Sequence, residues 1–182
     1  MEKLELIEII DKVVNKSDLK ASDIPSLDLY MDQIMTLFEE HLQDNKRYAK
    51  DKLLTKTMIN NYTKAGVIKP VKGKKYTKEQ IIGMLLIYNL KNTITIQEIK
   101  HILEPIYNND DSLEDIYKQF IEIKKVQDNE LKPLVLKTIN NFNLDINNDD
   151  QRLIIIMALA SLSNQLTNII QGIIDNYCNT TK

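Results

Sequence analysis

Breakers of regular structure are scarce in this chain: its 182 residues include only four glycines and four prolines. Long helices are therefore open to it, and the spacing of its apolar residues points the same way. Residues 2–15 place Leu6, Ile7, Ile10, Val13 and Val14 at helical intervals with acids between them. The turn-prone stretch SDLKASDIPS interrupts the pattern, and residues 29–42 restore it with Leu29, Tyr30, Ile34, Leu37, Phe38 and His41 or Leu42 to one side. Start and stop signals then become explicit. Thr55 can cap a helix running to Ala65, and Gly66 suits a left-handed stop. Thr77 with Gln80 and Thr95 with Glu98 form two capping boxes. They open helices expected to reach Lys91 or Asn92 and Leu103, the second with Pro105 just beyond.

Further on, Ser112 with Asp115 opens a helix to about Val126, and Pro133 suits the first turn of another ending near Phe142. Asn147 to Asp150 leads into a last helix from Gln151 to about Tyr177, most simply capped by Asp149-Asp150. Its first half, LIIIMALA, is apolar all round, the pattern of a centrally buried helix. One stretch alone reads as β: Val67 to Tyr76, VIKPVKGKKY, with Pro70 and Gly73 between short extended ends, suits a small hairpin. The expected fold is all-α with one small β-hairpin. A soft boundary near Asn108–Asp111 separates 1–108 from an all-helical region, 109–182.

Apolar residues at 43% and charged residues at 27% are globular proportions. Cys178 is alone, so no intramolecular disulfide can form and a reducing compartment is expected. The first residues, MEKLELIEIIDKVV, scatter acids through the apolar positions and do not read as a leader. The longest apolar run, Leu153 to Ala160, is far short of the roughly 20 residues of a membrane span. A soluble, cytoplasmic chain without a membrane partner is the expectation. His41 and His101 lack Cys or carboxylate neighbours at ligand spacing, so no metal is expected. No Gly-rich phosphate loop, GxSxG or Cys/His pair is present, so neither a cofactor nor an enzyme is expected.

Charge is the strongest functional signal. Between Lys46 and Lys78 stand eleven basic residues and one acid, Asp51, a local charge of +10 in a chain whose net charge is −2. Such polarity suits a polyanion on one face. On the helix Thr55–Ala65, Leu54, Met58, Tyr62 and Ala65 share one side; Lys56, Thr57, Asn60, Asn61, Thr63 and Lys64 share the other. That second face has no carboxylate. Asn can pair with adenine, Thr can meet a base edge, and Lys anchors phosphate. Lys52 precedes the helix, while Lys69, Lys72, Lys74 and Lys75 surround Gly73, and Tyr76, which closes the segment, joins them as a candidate DNA contact although packing could equally claim it; Tyr62 belongs to the packed face.

MINNYTKAGVIKP (58–70), followed by KGKKYTKEQIIGMLLIYNLK and TITIQEIKHIL, resembles the winged-helix signature of MerR-type regulators over about Leu53–Leu103. The resemblance implies a recognition helix (55–65), a basic wing (67–76) and double-stranded DNA as partner. Asn60 and Asn61 stand where that pattern favours Arg and Tyr, which passes phosphate contacts to Lys56, Lys64 or the wing. The whole chain, with DIPSLDLYMDQ and KLLTKTMINNYTKAG, is similar to an uncharacterised family of low-GC Gram-positive bacteria that has no assigned function. A transcriptional regulator is the expected function, and a homodimer on two half-sites the expected form. The stripe Leu162, Leu166, Ile169, Ile170, Ile173 and Tyr177 would make the dimer contact. The rival class is a protein-interaction module whose basic face docks an acidic partner. A small-molecule effector held by the helices after Ser112 is compatible with the first.

Overall fold

The computed structural model describes residues 2–71, 73–109 and 112–178, those at 2–4 by backbone alone. Lys72 and Asp110-Asp111 lie outside the described residues. The chain is mostly helical, with one two-stranded antiparallel sheet. In order come α1 (Glu2–Val14), β1 (Leu29–Tyr30), α2 (Met31–Leu42), α3 (Lys56–Lys64), β2 (Lys75–Tyr76), α4 (Lys78–Leu90), α5 (Ile96–Asn108), α6 (Leu113–Asn141) and α7 (Asp149–Ile173). A π-helical turn, Ile174–Cys178, comes after α7. The chain forms two compact units: a first from 17–121 together with the chain from 174 on, and a second from 1–16 and 122–173.

The first unit is built around α4. Its sequence IIGMLLI is apolar on every side, and Ile81, Ile82, Met84, Leu85 and Ile87 are all buried. Also buried in this unit are Ile34, Phe38 and Leu42 of α2, four residues apart, Ile59 and Tyr62 of α3, and Ile99 and Leu103 of α5. Each such side chain contributes roughly 1.5–3 kcal/mol by leaving water. Tyr117, in the opening turns of α6, is buried too and donates its hydroxyl to the Leu19 carbonyl at 2.8 Å. Burial pushes that phenol well above the ordinary tyrosine range.

Among the described residues of Val67–Tyr76 the expected hairpin is not formed. Lys75–Tyr76 instead pairs with Leu29–Tyr30, residues expected to open α2, in the register Leu29↔Tyr76 and Tyr30↔Lys75. Several backbone groups of the would-be first arm are committed elsewhere. The N–H groups of Val67 and Ile68 both donate to the Tyr62 carbonyl, Pro70 has no N–H, and the Gln80 side chain takes the Lys69 and Pro70 carbonyls.

Two prolines expected to mark helix ends sit inside helices. α5 runs through Pro105 to Asn108, and α6 is one helix of 29 residues through Pro133. Each proline orphans the carbonyl four residues back, of His101 and Asn129. Those residues and both prolines are exposed, so water can take the freed oxygen.

The second unit has a small core: Leu6 and Ile10 of α1, Val135 and Ile139 of α6, and Ile155 of α7. Lys132 reaches Asp11 at 2.7 Å beside it. α7 is capped by Asn148, whose side-chain oxygen accepts from the Gln151 N–H at 3.0 Å; Asp149 and Asp150 occupy its first turn rather than the cap. The expectation that LIIIMALA is buried centrally fails: within α7 only Ile155 is buried, while Leu153, Ile154, Ile156 and Met157 are exposed. The centrally buried helix is α4. By length and composition Asp149–Cys178 could cross a membrane, with mean hydropathy 1.7 over its best window.

Candidate nucleic-acid interface

Thr55 starts α3 by accepting the Met58 N–H on its side-chain oxygen at 3.1 Å. Leu54, Ile59 and Tyr62 then turn inward and Met58 is half-buried. Ile59, more deeply buried than Tyr62, joins the inward face, a place the helical spacing alone does not give it. Outward go Lys56, Thr57, Asn60, Asn61 and Lys64, all exposed, and α3 itself carries no acid. Thr63 leaves this set: half-buried, it donates its hydroxyl to the Ile59 carbonyl at 2.9 Å. Gly66 ends the helix at φ +74°, a backbone region in which glycine alone is unstrained.

Two side chains hold the loop after α3. Gln80 accepts the Thr77 N–H at 2.9 Å, closing the capping box, and its amide nitrogen donates to the carbonyls of Lys69 at 2.9 Å and Pro70 at 3.1 Å. Tyr107 donates to the Val67 carbonyl at 3.2 Å. It fits because residue 83 is glycine, where a Cβ would lie 3.1 Å from the Tyr107 hydroxyl. Burial, and then the charge of Glu79, push the Tyr107 phenol up to about 12.

The lysines of the basic segment fall into two groups. Four meet carboxylates from outside the segment: Lys46 with Glu39, Lys56 with Asp32, Lys69 with Glu79 at 3.2 Å, and Lys78 with Glu114 at 3.1 Å. Two lysines hold Glu114 low: hydrogen bonds from Lys118 and then Lys78 keep its carboxyl below the usual range. Lys69 also lies 4.7 Å from the centre of the Tyr107 ring. Nothing local in the sequence announces these partners, since the fold brings them in from α2, α4 and α6.

Lys52, Lys64 and Lys74 are exposed and have no ion-pair partner among the described residues. Lys75 is exposed and lies over the Tyr30 ring, 5.0 Å from its centre, as its cross-strand neighbour. Tyr30 is 48% exposed, a flat apolar surface beside the cation, in a strand where the sequence pattern predicts a helix. Arg47 and Lys50 are exposed as well and add two cations to those the sequence pattern picks out. Tyr76, a candidate DNA contact by its place in the sequence, is instead 6% exposed with its phenol pushed up by burial, so it packs in the core rather than meeting a ligand. Among the described residues no three His, Cys, Asp or Glu side chains gather as a metal site requires.

These elements define a mostly helical unit with a two-stranded sheet and one exposed, acid-free helix face edged by lysines. The chain belongs to the family described as domain of unknown function DUF1836, which it matches over residues 19–120. That match falls inside the continuous stretch of the first unit, 17–121. The chain has no match among curated proteins or among solved structures.

Proposed function

We propose that the first unit binds double-stranded DNA and that the protein is a transcriptional regulator. One observation carries this reading: α3 turns Lys56, Thr57, Asn60, Asn61 and Lys64 to solvent with no carboxylate among them. A helix of this width enters a major groove, where Asn60 and Asn61 would read base edges and Lys56 and Lys64 would hold phosphate. Lys52, Lys74 and Lys75 would grip the flanking backbone, together with Lys69 once Glu79 yields to phosphate. The ion pairs at Lys56 and Lys69 are exposed, worth roughly 0–1 kcal/mol each, so exchanging a carboxylate for phosphate costs little. In this reading the run of helix, left-handed Gly66, buried Val67 and Ile68, and Pro70 would serve as a recognition helix and its turn. The part of a wing would fall to the basic segment before Lys75–Tyr76, the strand that pairs with Leu29–Tyr30.

Fluorescence anisotropy on AT-rich upstream duplexes and random duplexes, across a salt series, tests the proposal. Binding should weaken steeply with salt, and one upstream fragment should outcompete random DNA. Asn60→Ala with Asn61→Ala should erase that preference, whereas Lys74→Ala with Lys75→Ala should weaken all sequences alike. Absence of binding above the non-specific level at low salt would remove DNA as the ligand. The second reading then takes over, a docking surface for an acidic protein. The self-pairing of Lys46, Lys56, Lys69 and Lys78 with carboxylates supports it.

A further inference from the structure

We propose that α7 is a self-association helix, packing its exposed seam against the same seam of a second copy of this chain. The proposal does not rest on DNA binding, which is assigned to the other unit. The seam is Leu159, Leu162, Leu166, Ile169 and Ile173, spaced three, four, three and four apart, the interval that keeps one apolar line facing a partner helix. Leu166, Ile169 and Ile173 are 54%, 58% and 52% exposed. Soluble monomers rarely leave an apolar line of this length in water.

Charge and polarity select the occupant. From Leu153 to Ile174 no residue is charged, and the positions flanking the seam include Ser163, Gln165, Ile170 and Gly172. A heterologous partner is ordinarily chosen through charges at those flanks, and two like copies repel through them. Here neither effect operates, so the seam best complements itself. A lipid occupant fits less well. Asn164, Asn168 and Gln171 occupy the opposite side of the helix and are all exposed. A membrane-spanning helix would bury those three amides in hydrocarbon. A helix lying on a membrane surface would carry Lys or Arg on its polar face, whereas Asp175 is the next charge along the chain here.

Leu166 is the midpoint of the seam, so fully overlapped seams bring it against its own copy whether the helices run parallel or antiparallel. Sedimentation equilibrium of the full chain should show dimers at tens of micromolar. Leu166→Glu should raise the dissociation constant by roughly 100-fold or more by placing like charges in an apolar contact. Leu166→Lys should do the same, and an equimolar mixture of the two variants should recover dimers. Circular dichroism of each variant alone should match the wild type, because Leu166 is outside the core. That recovery separates a contact from a folding defect. A wild-type chain that stays monomeric at these concentrations overturns the proposal, as does a Leu166→Glu variant that dimerises unchanged. Flotation of a monomeric wild-type chain with phosphatidylcholine vesicles would also overturn it, assigning the seam to lipid.

Discussion

Gln80 joins more of the first unit than its place in a polar turn suggests. One side chain closes the capping box of α4 and satisfies two carbonyls of the loop after α3. Gln80→Ala should lower stability by about 1–2 kcal/mol, the sum of a lost cap and two unmet carbonyls at a partly wet site. Thermal denaturation checks this, and an unchanged midpoint would show that water replaces the amide fully. The capping half of this role is legible in the sequence, because a capping box is a local pattern; the half that reaches back ten residues is not. Tyr107 makes a comparable link, from α5 to Val67, and its titration reports on it. Its folded pKa of about 12 lies above the ordinary 10.0, so the unfolded chain gives up this proton first. Its contribution is complete below pH 10 and is lost as the pH rises from 10 towards 12. Tyr107→Phe lacks that ionisation, so the stability gap between wild type and variant should shrink across this window. Urea denaturation on either side of it measures the gap; a constant gap would mean that the phenol ionises with its ordinary pKa.

At the scale of elements, the sequence makes legible whatever is decided within a few residues. Thr55, Thr77 and Thr95 each start the helix expected of them, and Gly66 ends α3 in the left-handed conformation. The features it does not make legible are decided elsewhere in the chain. β2 takes its partner from Leu29–Tyr30, while at the start of the loop after α3 the Val67 and Ile68 N–H groups are held by the Tyr62 carbonyl and Pro70 has none. Pro105 and Pro133 stay inside helices because the carbonyls they orphan lie on wet faces. The acid-free face of α3 is readable from its own residues, but its counterion is not, since Asp32 comes from α2. That counterion supplies a test of the interface. Asp32→Asn removes the carboxylate paired with Lys56, a pair exposed enough that little stability depends on it. If α3 meets DNA, the variant should bind a few-fold more tightly at low salt, and the gain should fade as salt rises. Anisotropy titrations of both proteins would show it. Unchanged affinity at every salt concentration would take Lys56 out of the interface.

Across the whole molecule, the first unit is where the chain's charge and its family membership coincide, since residues 46–78 lie within the matched 19–120. A local charge of +10 does not translate into ten phosphate contacts. Of the eleven basic residues, Lys46, Lys56, Lys69 and Lys78 already face carboxylates of the same chain. The exposed remainder among the described residues is Arg47, Lys50, Lys52, Lys64, Lys74 and Lys75. Each neutralised phosphate contributes about −0.9 to the slope of log affinity against log salt, so these six set a slope near −5 per chain. If every basic residue of the segment reached phosphate, the slope would approach about −10. The two values are far enough apart for one salt series, with protein and duplex concentrations chosen to keep one chain bound per duplex, to separate them. A slope of roughly −5 would mean that the internal ion pairs survive in the complex and that the fold, rather than the composition, sets the electrostatic footprint. A slope of roughly −10 would mean that phosphate displaces Glu39, Asp32, Glu79 and Glu114 together, making those carboxylates stand-ins for DNA in the free protein.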